Sequence, residues 1–309
     1  MSEPFGSLST SVPASGLAFA VGATLFSSLV ALAIRAGTDT DTAGSQNALL
    51  VVLLTNVVLI LPVAVVSSYP DFGLTPTSVG AFAMAGVVGT LLGRSLSYAS
   101  IERIGASRTA PIKSSQPLHA TLIAMVVLGE QVTPLHMAGI VLIVGGVAVV
   151  SWDLSRSSAD SSVDASPYEL LVPLGAAFFY GLEPIFAKTG INQGTPVAVG
   201  LAIKTLVALV GYTLVMRVRW TLPDPRTFDA TQLRWYVLAG LFNTAFLASF
   251  YLAIQVAPVS VVVPVVTTSP LVIVALSRAF LPDIERVTWR VAAGAVVVVA
   301  GGVLTTLYG

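Results

Sequence analysis

Apolar segments of about 20 residues recur ten times along the 309-residue chain, too often for any of them to be the core helix of a soluble domain. They run Gly16–Arg35, Ala48–Ser67, Val79–Ile101, Ala106–Leu128, Pro134–Trp152, Glu169–Thr189, Val197–Val218, Leu233–Gln255, Val259–Leu281 and Thr288–Tyr308. Their period is helical, without the alternation of an outer-membrane barrel, so the expected fold is an all-α bundle of ten transmembrane helices in the cell membrane. Charged residues make up 10% of the chain, against about 25% in soluble domains, and the mean hydropathy is +0.88. A net charge of zero gives no electrostatic reason for a nucleic-acid partner. The lack of cysteine excludes disulfides, thiol catalysis and Cys-based metal sites. Residues 1–13 lack the basic start of a signal peptide and read as a short disordered tail.

One stretch breaks the apolar pattern. In APIKSSQPL, Ala110 to Leu118, a Lys, two Ser and a Gln lie between Pro111 and Pro117. Each proline withholds an N–H and pushes away the carbonyl four residues back, so Pro117 frees the Lys113 carbonyl and Pro111 that of Ser107. Broken helix at membrane depth is tolerated where it is buried in protein or lines a watery cavity. The same grammar returns in VPVVTTSPL, Val263 to Leu271, where Pro264 and Pro270 enclose Thr267, Thr268 and Ser269 at an offset of 153 residues.

At that offset Gly22, Arg35 and Gly37 fall on Gly175, Lys188 and Gly190, and Tyr98, Ser107, Pro111 and Pro117 fall on Tyr251, Ser260, Pro264 and Pro270. Beyond the prolines the offset becomes 155, which overlays Glu130 on Glu285 and Thr133 on Thr288 after an insertion near Pro282-Asp283. Each half has five spans, an odd number, so the second enters the membrane from the opposite side and the repeats are inverted. The expected division is a first repeat over 14–153, a polar linker over 154–167 and a second repeat over 168–309.

These features resemble the drug/metabolite transporter superfamily, specifically EamA-type transporters with two five-helix repeats. The resemblance rests on the small-residue entries and prolines of the fourth and ninth spans (Gly105-Ala106-Ser107 to Pro117; Pro258-Val259-Ser260 to Pro270). It rests also on the Gly-Glu-x-x-Thr turn at Gly129–Thr133 and the glycine-bearing fifth and tenth spans. The second half departs from the turn pattern, with Ile284 in place of Gly. The resemblance implies both termini in the cytoplasm. Arginine enrichment in the loops after the odd spans, such as Arg103, Arg108, Arg219 and Arg290, argues the reverse orientation by the positive-inside rule.

Ionisable side chains inside spans are rare and costly, and are read first as functional. Five occur: Arg94, Lys113, Glu183, Lys188 and Lys204. Lys113, between the two prolines, is expected to line a cavity. Arg94 sits one position off the small face Gly89-x-x-x-Gly93-x-x-x-Ser97, which allows close helix packing. Glu183, next to Pro184, is either a proton carrier or the acid of an ion pair with Lys113, Lys204 or Arg94. Arg35 and Lys188 read as snorkelling ends, and His119 as a cavity candidate without metal-ligand spacing. Ser114, Ser115, Gln116, Thr267, Thr268 and Ser269 offer groups for the freed carbonyls or for a ligand. Tyr98 and Tyr251 join them as substrate candidates, and Asn56, Asn243 and Tyr180 are secondary ones.

No His-Glu-x-x-His, Gly-x-Ser-x-Gly or nucleotide loop is present, so an enzyme is not expected and no cofactor is called for. The expectation is a secondary transporter, monomer or homodimer in the lipid bilayer, moving a small anionic metabolite such as an amino acid, organic acid or phosphorylated compound. The alternative is a proton-coupled exporter of drugs or cationic compounds centred on Glu183.

Overall fold

The computed structural model describes residues 13–37, 42–156, 167–219, 229–280 and 288–308. The tail over 1–12, the linker residues 157–166, and the Pro282-Asp283 insertion with Glu285 lie outside them. The first two spans are α1 (Ala14–Gly37) and α2 (Thr42–Ser68). The third is composite: α3 (Pro76–Ala85), a π-helical segment over Gly86–Gly93, and α4 (Arg94–Ile104). The fourth is broken into α5 (Ala106–Lys113) and α6 (Gln116–Val127), and α7 (Pro134–Arg156) completes the first half. A turn over Pro167–Leu170 opens the second half, followed by α8 (Leu171–Asn192), α9 (Val197–Val218) and α10 (Ala230–Val256). The ninth span is broken into α11 (Val259–Val266) and α12 (Ser269–Phe280), and α13 (Trp289–Tyr308) ends the described chain.

Nine stretches of helix among the described residues are long and apolar enough to cross a membrane. The fourth span is the exception. It is cut into pieces of 8 and 12 residues and carries Arg108, Lys113, Gln116 and His119. Of these polar residues, Lys113 and Gln116 face an internal cavity.

Packing follows the repeat. In the first half's opening helix, α1 lies along α10, and its counterpart α8 lies along the third span. The fifth and tenth spans form their own pair, α7 against α13. A Cβ on Gly139 would stand 2.8 Å from the Gly301 carbonyl, and one on Gly301 would stand 2.6 Å from the Gly139 carbonyl. Gly146 and Gly294 face each other in the same way, at 2.8 and 3.0 Å. Only glycine permits backbones to approach so closely, which is how helices associate where lipid supplies no hydrophobic drive.

The broken spans meet unequally. α6 packs against α11, whereas α5 and α12 make no comparable contact among the described residues. The bundle is pinched at the end where α10 gives way to α11, the end carrying the Gly129–Thr133 turn. At the other end the broken spans make no comparable contact among the described residues.

Candidate functional site

Both breaks fall between the prolines, at Ser114–Ser115 and Thr267–Thr268, positions separated by the 153-residue repeat. The hydroxyls there serve their own backbone. Ser114 donates to the Ala110 carbonyl at 3.0 Å and Ser115 to that of Ile112 at 2.7 Å, while Thr267 and Thr268 donate to Pro264 and Val265 at 2.8 and 2.7 Å. From α1, Thr24 and Ser28 donate to the carbonyls of Val265 and Ser269, each at 3.2 Å. Pro264 frees the Ser260 carbonyl, and the buried His136 ring on α7 donates to it through Nε2 at 3.1 Å.

Between the breaks lies a cavity of about 300 Å³. Of the side chains singled out from sequence, Arg94, Lys113, Gln116, Glu183, Lys204, Thr267 and Ser269 line it, with Asn56, Tyr180 and Asn243. Ser114 and Thr268 do not, being turned to their own helices. Tyr98 does not line the cavity but lies beside it, close to Arg94. Tyr251 is fully buried behind the wall, its ring 5.2 Å from Lys204 Nζ and its hydroxyl without a hydrogen-bond partner. His119 is placed elsewhere, with Nδ1 3.1 Å from the Ser115 carbonyl and its ring edge-on to Phe178. Pro111 faces an outer apolar groove with Trp152.

Charge in this cavity is unbalanced. Glu183 and Lys204 form a buried ion pair, with side chains 15% and 5% exposed. Lys113 Nζ donates to Ser97 Oγ at 3.0 Å and stands 5.3 Å from the centre of the Tyr180 ring. Among the described residues no carboxylate lies within 4.0 Å of Lys113 or Arg94. The cavity therefore presents three cations to one acid, and the acid is already engaged. The glycine face of the third span sets this arrangement. A Cβ at Gly89 would stand 2.0 Å from Glu183 Oε2, and one at Gly93 would touch the Tyr180 ring at 3.2 Å. The π-helical winding begins at Gly86 and delivers Gly89, Thr90 and Arg94 to the cavity. π-Bulges recur at functional sites, but the sequence carries no signal for this one beyond its spaced glycines.

The Lys188 ammonium donates to the carbonyls of Ile254, Gln255 and Ala257, the loose C-terminal end of α10, where acceptors lack helical partners. Two residues on, Glu130 accepts from the N–H groups of Val259 at 2.7 Å and Ser260 at 2.9 Å, and so caps α11. Glu130 was legible as part of a turn but not as a cap, since its partner lies in the other repeat. Also missed were Ser27, Thr90, Thr205, Phe246 and Phe250, all cavity-lining. Laying the repeats over each other could have found two pairs of these, as Ser27 matches Tyr180 and Thr90 matches Asn243.

Ten spans in two inverted repeats, with broken helices converging on a charged cavity, define a multi-pass integral membrane protein with the architecture of a transporter. The sequence profile of the EamA-like transporter family matches residues 14–152 and 167–307. The chain belongs to that family and is a membrane transporter of the drug/metabolite type. A solved crystal structure of a protein superposes on it with a TM-score of 0.75 at 16% identity, covering 95% of this chain and 96% of that one. That likeness concerns the fold alone. No curated protein matches the chain.

Proposed function

We propose that this transporter carries a small metabolite bearing an anionic group, bound between the two helix breaks with Lys113 as its main charge partner and Arg94 beside it. The observation that carries the reading is the charge balance: Glu183 is satisfied by Lys204, while among the described residues Lys113 holds a hydroxyl and the face of an aromatic ring but no carboxylate. A cation withdrawn from water without a counter-charge is costly, and an anion in the cavity removes that cost. Gln116 and Ser269, which also line the cavity, supply an amide and a hydroxyl to orient the neutral part. Transport proceeds by alternating access, the two ends exchanging roles as the repeats rock about the site.

Counterflow in proteoliposomes tests this with a panel of amino acids, organic acids, phosphorylated metabolites and hydrophobic cations. Anions are expected to exchange, and Lys113→Gln to reduce their flux at least tenfold. Flux of hydrophobic cations alone, or anion flux indifferent to Lys113→Gln, overturns the proposal.

A further inference from the structure

The cavity has two chemically opposed walls. α4, α5, α8 and α9 pack together and bring Arg94, Lys113, Glu183 and Lys204. Of the other lining helices, α10 and α11 bring no charge; their lining side chains include Phe246, Leu247, Phe250, Val263 and Val266. The repeat makes the contrast sharp, because the same structural positions carry opposite chemistry. At the 153-residue offset Arg94 becomes Leu247, Lys113 becomes Val266, Gly93 becomes Phe246 and Ser97 becomes Phe250. The Lys113–Ser97 hydrogen bond of one wall is thus replaced by a Val and a Phe on the other.

We infer that the substrate is an amphipathic anion: one anionic head seated between Lys113 and Arg94, and an apolar chain or ring lying against Phe246 and Leu247. This rests on the anionic reading above and adds the other half of the molecule. Phe246 and Phe250 stack with centroids 5.8 Å apart at 19°, a continuous apolar shelf. The amides on that side are already engaged, Asn56 accepting from Asn243 Nδ2 at 2.8 Å and donating to Thr244 at 3.0 Å. A compact hydrophilic anion such as phosphate satisfies the cations but leaves water against the shelf. An apolar body displaces that water, and the gain grows with each carbon buried.

Sulfonates provide the test, since they stay anionic and do not cross lipid as neutral acids. Binding of methanesulfonate, butanesulfonate, benzenesulfonate and inorganic phosphate to the full chain in nanodiscs is measured by calorimetry. Affinity is expected to rise roughly tenfold or more from methanesulfonate to benzenesulfonate. Phe246→Ser and Leu247→Ser should each flatten that rise while leaving methanesulfonate binding intact, which also reports that the variants are folded. Lys113→Gln should weaken every member of the series. Equal affinity for phosphate, methanesulfonate and benzenesulfonate, all lost in Lys113→Gln, overturns the amphipathic inference and leaves the anionic reading standing. Binding of none of the four, with hydrophobic cations bound instead, overturns both.

Discussion

Glu183 and Lys204 are each acceptable in the membrane only because of the other. Removing one partner of a buried pair typically costs about 3–5 kcal/mol, because a lone charge stays behind, whereas replacing both by apolar groups is often close to neutral. Glu183→Gln and Lys204→Met should therefore each lower the thermal unfolding temperature of the purified protein clearly, and the Glu183→Leu/Lys204→Met double variant should regain most of the loss. Single variants as stable as the parent would show that the pair carries no such burden. Gly89→Ala offers a second check at one atom. The added methyl would meet the Glu183 carboxylate at 2.0 Å, so the acid must move off Lys204 and anion flux should fall although no polar group was removed. Unchanged flux would mean that the carboxylate tolerates displacement. The sequence allowed Glu183 three possible partners, all cationic. Choosing Lys204 required knowing that the third span stands against both α8 and α9, which no local pattern encodes.

Helix breaks were the most legible elements, because proline chemistry is local and acts the same way in both copies. Their neighbours were not. The π-helical segment depends on Gly86 abutting the Lys204 carbonyl, where a Cβ would stand 2.6 Å away, and that is a tertiary contact. The clasp at the pinched end is likewise tertiary. Glu130 caps α11 from the first repeat while Lys188 holds the end of α10. Hydrogen bonds to charged groups are worth about 1.5–3 kcal/mol, and roughly 1.4 kcal/mol shifts an opening equilibrium tenfold. Glu130→Ala should accordingly loosen this end. Because the chain has no cysteine, a single Val263→Cys, on α11 and lining the cavity, reports the opening without background. A membrane-impermeant maleimide applied from the side of the Glu130 turn should label it about tenfold faster in the Glu130→Ala background. Equal rates would remove the clasp from the account.

At the scale of the molecule, the inverted repeat was readable from one sequence because spacing survived where identity did not. Arg94 and Leu247 share a position but no chemistry, while Pro117 and Pro270 share both. That difference is informative. On the proposed alternating-access mechanism, symmetry is needed only in the scaffold that exchanges conformations, and an asymmetric substrate would leave the two walls free to diverge. What the repeat could not reveal was the inequality of its ends, α6 against α11 but α5 apart from α12, since a conformational state is not a property of sequence.

On the anionic reading proposed above, the positive charge at position 113 draws the substrate into the cavity, and the cysteine-free chain permits a direct trial. Lys113→Cys should abolish anion counterflow in proteoliposomes. Treatment with 2-aminoethyl methanethiosulfonate, which restores an ammonium at that point, should recover it, and the sulfonatoethyl reagent, which places a negative charge there, should not. Full counterflow in untreated Lys113→Cys, or equal recovery with both reagents, would contradict the account.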